Sequence, residues 1–211
     1  MGLALALYMP ELVLPEIVCI ESGIRQGGMQ IIQSTALPHG VALMPLMTHA
    51  DHRGDLTEVF RNEWHSSPLP AEWIVGRVQA NALRGVHVHR HSWAYACAIA
   101  GELIVGLHDL RPHPTAARSV MFRLTNAPLH LLVIPSGVGY GFYAPEGATL
   151  IFGTSENSNS ADQLACRWDS PELNLSWPCA APELSAEDRA AGNYAAARTT
   201  VLADRTINLS P

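Results

Sequence analysis

From about residue 30 to residue 155 the chain is a succession of short runs rich in β-branched and aromatic residues. They are LTEVF (56–60), WIVGRVQ (73–79), YACAIAG (95–101), ELIVGLHDL (102–110), VMFRL (120–124), LHLLVIP (129–135), GFYA (141–144) and ATLIFGT (148–154). Gly, Pro, Asn and Asp interrupt them every 8–14 residues. Short strands at that cadence predict an all-β sandwich or barrel. Gly101, inside AGEL, is expected to turn the chain between two of the strands. The tail differs: SAEDRAAGNYAAAR (185–198) is Ala-rich, opens on Ser185 as a candidate N-cap, and predicts one or two short helices.

The 211 residues are 48% hydrophobic and 15% charged, which suits one compact domain with a real core. Net charge is −6 and the 13 basic residues are dispersed, which argues against a nucleic-acid or membrane-surface partner. Cys19, Cys97, Cys166 and Cys179 follow no zinc or C-x-x-C spacing, so buried free thiols in a reducing cytoplasm are expected. Residues 1–28 are apolar but broken by Pro10, Glu11, Pro15 and Glu16, which fits neither a secretory leader nor a membrane span. They are expected to be either an extension or a mis-assigned start, with the domain occupying 29–211 and starting near Met29.

The stretch RGVHVHRH (84–91) carries His87, His89 and His91 at alternate positions. On a strand such residues share a face and would line the interior of a barrel. A His-x-His pair is half of the cupin metal pattern, but the positions for its Glu and its later His hold Ala94 and Tyr140. Two imidazoles are a poor site for a divalent ion, so no metal and no cofactor are expected.

LRGVH (83–87), DHRGDLTEVF (51–60), GELIVGLHDLRPHPT (101–115), IPSGVGYGF (134–142), WDSPELNLSWP (168–178) and PELSAED (182–188) occur together in this order. With them the chain, from about residue 44 to 190, resembles the dTDP-4-dehydrorhamnose 3,5-epimerases. The resemblance implies a cupin jelly-roll β-barrel with short C-terminal helices, a homodimer that exchanges N-terminal strands, and a small sugar nucleotide as substrate. It implies chemistry on a nucleotide-linked 4-keto-6-deoxy sugar, whose C–H bonds beside the ketone are acidic. A base takes one proton and an acid returns one to the opposite face. By resemblance the base is His87, oriented by Asp188. Arg84 holds the diphosphate or sugar, and Arg53 and Glu58 reach a partner's nucleotide. Asp188 has a rival role as the last member of an S-x-x-D capping box with Ser185. His89 and Tyr95 are candidate substrate contacts.

Three positions depart from the family pattern, one of them the P-x-G-x-x-H histidine position held by Tyr140. The family's enolate-stabilising Lys is replaced by Ala94, and its catalytic Tyr by Phe152. Tyr140 is the candidate replacement acid, which leaves room for a single-carbon epimerisation. The alternatives are a barrel that only binds a small ligand, and one that catalyses another proton transfer or cyclisation in natural-product biosynthesis.

Overall fold

The computed structural model describes residues 23–26, 29–32, 37–64, 68–112, 119–157 and 161–204. In chain order the first strands are β1 (Gly23–Gln26), β2 (Met29–Ile32), β3 (Ala42–Pro45), β4 (Thr48–Asp51), β5 (Gly54–Thr57), β6 (Glu72–Val78) and β7 (Ala82–His89). They are followed by β8 (Ala94–Asp109), β9 (Ser119–Thr125), β10 (His130–Ile134), β11 (Val138–Ala144), β12 (Ala148–Thr154) and β13 (Gln163–Ala165). Two short helices, α1 (Ala186–Arg189) and α2 (Tyr194–Ala203), close the described chain.

The strands form the two faces of a jelly-roll barrel that share β8. Its first half pairs with β10 and β12, which carry β3 and β6 at their outer edges. Its second half pairs with β9 and β11, and β7 and β13 continue that side. β8 is one strand of 16 residues where the sequence predicted two joined by a turn. Gly101, at φ 73°, sits beside a register shift: Thr149 faces Ala100 and Leu150 faces Ala98, so Ile99 is extra. That β-bulge reverses the alternation of side chains. Ala94, Ala96 and Ala98 face the core between the sheets before it, and Leu103, Val105 and Leu107 face the same core after it. Added side-chain bulk at Gly101 would meet the Gly147 carbonyl oxygen at 2.5 Å, so the bend requires glycine.

Two further clusters cover the outer faces. Leu83, Val86 and Val88 of β7 pack outward with Leu173, Trp177 and the α2 residues Ala197 and Val201. Tyr95, Cys97, Leu131 and Val133 pack on the other outer face beneath Trp64, Val59 and Phe60. The predicted strand at 56–60 therefore stops at Thr57, because Val59 and Phe60 leave the β4–β5 hairpin to cover that face. β1 and β2 form a hairpin whose second strand pairs with β3. The sheet thus runs across the boundary expected near Met29, and residues 1–22 lie outside the described residues. Cys97 and Cys166 are buried free thiols and Cys179 is half-buried and free, whereas Cys19 lies outside the described residues. Among the described residues no helix is long and apolar enough to cross a membrane.

Candidate active site

The site begins with a second bulge. On β7 and β11, His87 lies opposite Tyr140 and Arg84 opposite Phe142, so Gly85 and Val86 together face the single residue Gly141. The extra residue brings Arg84 and His87, three apart in sequence, onto the inner face, while Leu83 and Val86 turn outward. Gly85 has φ 113°, and a Cβ there would lie 2.6 Å from the Tyr140 carbonyl oxygen. Only glycine fits, and its N–H is also one of the donors to the Asp188 carboxylate.

His87 Nε2 lies 2.7 Å from Asp188 Oδ1, with the His87 side chain 19% exposed and the Asp188 side chain 4%. A carboxylate accepts only, so Nε2 carries the proton and Nδ1 is the nitrogen free to act as a base. Asp188 is held from both sides. Ser185 Oγ donates to its Oδ2 at 3.0 Å, and its own N–H donates back to Ser185 Oγ at 3.0 Å, which caps α1. Ser185 caps α1 through the Asp188 N–H, and the Asp188 carboxylate meets Ser185 Oγ through Oδ2 while Oδ1 meets His87, so the cap and the contact with His87 use different atoms of one residue. Burial raises the Asp188 carboxyl, but the bonds from His87, Ser185 and Gly85 outweigh it and hold the group below the ordinary carboxylate value.

A second histidine–carboxylate pair lies beside the first. His89 Nδ1 is 3.1 Å from Asp162 Oδ2, and the Tyr140 hydroxyl is 2.9 Å from His89 Nε2. Asp162 is fixed by the N–H of His91 at 2.7 Å and that of Ser92 at 3.3 Å. Burial lowers the His89 imidazole, opposed by the Asp162 charge and reinforced by His87. Burial, with the Asp162 charge behind it, pushes the Tyr140 phenol well above its ordinary range. The Tyr140 ring centroid is 6.1 Å from that of His87, 5.8 Å from His89, 5.5 Å from Phe142 and 5.8 Å from Phe152. Tyr140 is thus the hub where both histidines and Phe152 meet.

The other predicted residues fall elsewhere. Tyr95 does not reach this site: the alternation that points Ala94 and Ala96 inward points Tyr95 outward. It is wholly buried there between Phe60 and Trp73, its hydroxyl donating to the Pro68 carbonyl. His89 is not an open substrate contact, since both its ring nitrogens are engaged and the residue is 8% exposed. Arg84 is exposed, its guanidinium 3.4 Å from the Arg77 carbonyl oxygen. Arg53 and Glu58 lie on or beside the exposed β4–β5 hairpin and are paired locally, with Asp51 at 2.6 Å and with Arg61. His91 pairs with a third carboxylate, Asp204, at 3.5 Å. Among the described residues no group of three or more His, Cys, Asp or Glu is placed to hold a metal ion. Sequence reading missed Asp162. It becomes part of the site only because β13 pairs with β7 and sets Gln163 against His89, a long-range register with no local signature.

The family model for dTDP-4-dehydrorhamnose 3,5-epimerase matches residues 34–196. The chain belongs to this family. The spore coat polysaccharide biosynthesis protein SpsL of Bacillus subtilis is 25% identical over 146 residues, covering 65% of this chain and 95% of SpsL. The structure of ChmJ, a 3'-monoepimerase from Streptomyces bikiniensis in complex with dTDP-quinovose, is 26% identical with a TM-score of 0.69, covering 77% of this chain and 88% of ChmJ. The structure of NovW, a 4-keto-6-deoxy sugar epimerase from Streptomyces spheroides, is 24% identical with a TM-score of 0.76, covering 89% of this chain and all (100%) of NovW. The last likeness shows the fold, the cupin jelly roll of the family. Against the family pattern, Phe152 and Ala94 stand on the inner face of this barrel without a proton to give.

Proposed function

We propose that this chain is an epimerase that abstracts a proton beside the ketone of a dTDP-linked 4-keto-6-deoxy sugar, with His87 as the base. The observation that carries the reading is the His87–Asp188 pair. A buried carboxylate fixes the tautomer, leaves Nδ1 bare on a partly exposed ring, and supports the imidazolium that forms. In the step, the C–H bond breaks, its proton goes to His87 Nδ1, and its electron pair passes into the enolate. Arg84, exposed on the same face, suits the diphosphate through its forked donors. The likeness to ChmJ supports inversion at a single carbon. The working unit is a cytoplasmic homodimer in which Arg53 and Glu58 serve the partner's nucleotide.

A second reading, a barrel that binds a sugar nucleotide or moves a proton on another scaffold, is favoured by Phe152 and Ala94 standing where the family keeps a phenol and an ammonium. Deuterium incorporation separates the two. In deuterated water, dTDP-4-keto-6-deoxyglucose is expected to gain deuterium at C3, C5 or both with the wild type. With His87→Asn the gain should fall by about 10²–10⁴. Wild type that leaves both positions protonated would sink the epimerase reading on this substrate.

A further inference from the structure

We propose that His89 and Asp162 are positioning residues for the base: through the Tyr140 hydroxyl they hold the Tyr140 ring against His87, and so fix the plane of an imidazole that Asp188 grips at one end. This rests on the epimerase reading above and deepens it. The role needs none of the three to touch substrate. It also corrects the expectation of Tyr140 as the replacement acid. Tyr140 stands beside His87 on the same wall of the barrel, 3% exposed, with its hydroxyl spent on His89.

Three observations carry it. The first is the contact on His87. Its bond to Asp188 is made by Nε2, at 2.7 Å, which leaves the plane of the ring, and with it the direction of the Nδ1 lone pair, to be set by packing. Tyr140 supplies that packing: the two rings stand at 89° with centroids 6.1 Å apart, an edge-to-face contact. The second is that Tyr140 is itself held at both ends. Its carbonyl oxygen packs against Gly85, and its neighbours Gly139 and Gly141 have no room to spare. A Cβ on them would come within 3.1 Å of Val86 and 3.0 Å of Trp177. At the other end the hydroxyl is 2.9 Å from His89 Nε2, and the His89 ring stacks on the phenol with planes 25° apart.

The third is that this chain of bonds ends on backbone. Asp162 accepts the N–H of His91 at 2.7 Å and that of Ser92 at 3.3 Å. Burial raises its carboxyl, but the bonds from Ser92 and His91 outweigh it and hold the group below the ordinary carboxylate value. A carboxylate accepts only, so His89 Nδ1 donates to Asp162 Oδ2 at 3.1 Å, and Nε2 is left to accept from the phenol. Burial lowers His89, which keeps it neutral and able to accept. A neutral His89 also puts no charge beside the imidazolium that His87 becomes.

The test separates variants that keep the chain from variants that cut it. His89→Gln keeps it, because the amide oxygen accepts from the phenol and the amide nitrogen donates to Asp162. His89→Leu and Tyr140→Phe cut it. Should His89→Leu fail to fold, Tyr140→Phe, which removes one oxygen from a packed ring, carries the comparison. Exchange and inversion are followed by NMR with dTDP-4-keto-6-deoxyglucose in deuterated water. A misaimed base slows both alike. The cut variants are expected to lose about 10–10²-fold in kcat for exchange and for inversion in equal measure, with KM unchanged. His89→Gln should keep most of the wild-type rate. Loss of inversion alone would mark a lost acid and overturn the positioning role, as would wild-type rates in the cut variants. A second readout needs no turnover. With isotope-labelled histidine, the His87 Nε2–H signal is identified by its absence from His87→Asn. It should stay sharp in wild type and His89→Gln and broaden by exchange with water in the cut variants. A signal equally sharp in all of them would overturn the proposal. Wild type that neither exchanges nor inverts, with the His87 signal responding as expected, removes the epimerase reading and leaves the positioning of His87 standing.

Discussion

Three histidines two residues apart end on three different carboxylates: His87 on Asp188, His89 on Asp162 and His91 on Asp204. Each carboxylate decides what its imidazole can do. With Asp188→Asn, the side-chain amide offers a donor to Nε2 and favours the tautomer whose Nδ1 is protonated. The base would then be blocked with its geometry kept, and the expected loss is about 10²–10⁴ in deuterium incorporation with little change in KM. His89 makes a prediction about stability. Its folded value lies below the ordinary 6.5, because burial disfavours the charged ring. As pH falls below 6.5 the unfolded chain binds a proton that the folded chain refuses until its own lower value is reached, so stability is lost over that window. His130 is lowered by burial too and acts in the same direction. Denaturant midpoints should therefore drop between pH 7.5 and pH 5, and His89→Gln should remove part of that drop. A variant whose midpoint falls as steeply as wild type would contradict a neutral, buried His89.

At the scale of elements, the inner face is set by two bulges, and these mark the limit of what the sequence revealed. The strand runs and the Ser185 cap were legible because each has a local signature, alternation and a capping spacing, whereas the pairing of RGVH with LSAED was implied only by the family resemblance. Parity was not legible. The alternation of YACAIAG and ELIVGLHDL cannot show that Ile99 is an extra residue, so Gly101 reads as a turn and Tyr95 has no assigned face. Asp162 stayed hidden because its place depends on a strand pairing across more than 70 residues of chain. The Gly85 bulge has a direct consequence. Gly85→Ala forces a Cβ to 2.6 Å from a backbone oxygen at φ 113°, and nothing soft is available to yield. The expected loss is about 1–3 kcal/mol in stability. Deuterium incorporation should fall with it, since the same two residues aim His87 inward. An alanine variant with the wild-type denaturant midpoint and rate would show that the bulge does not position the base.

At the scale of the whole molecule, the barrel shows an edge that a lone chain leaves open. β6 pairs with β12 and, among the described residues, with nothing on its other side. It exposes Trp73 at 37%, Ile74 at 49% and Val75 at 61%, an apolar edge of the kind that recruits another strand. On the β4–β5 hairpin Leu56 is 65% exposed, and among the described residues Arg53 pairs with Asp51. The homodimer proposed above makes a prediction here: a second copy covering the edge of β6 would bring Arg53 and Glu58 to the neighbouring nucleotide. Val75 faces away from the inner wall, since Ile74 is opposite Phe152 and Val75 opposite Ile151. A charge at Val75 therefore disturbs the edge without touching the His87–Asp188 pair. Light scattering should give a dimer mass for wild type and a monomer mass for Val75→Asp, with kcat/KM reduced at least about tenfold. Arg53→Ala should remain a dimer and raise KM with kcat little changed, as expected of a residue that binds substrate and transition state alike. A fully active Val75→Asp monomer would show that each barrel completes its own site, and Arg53 and Glu58 would then be surface charges and nothing more.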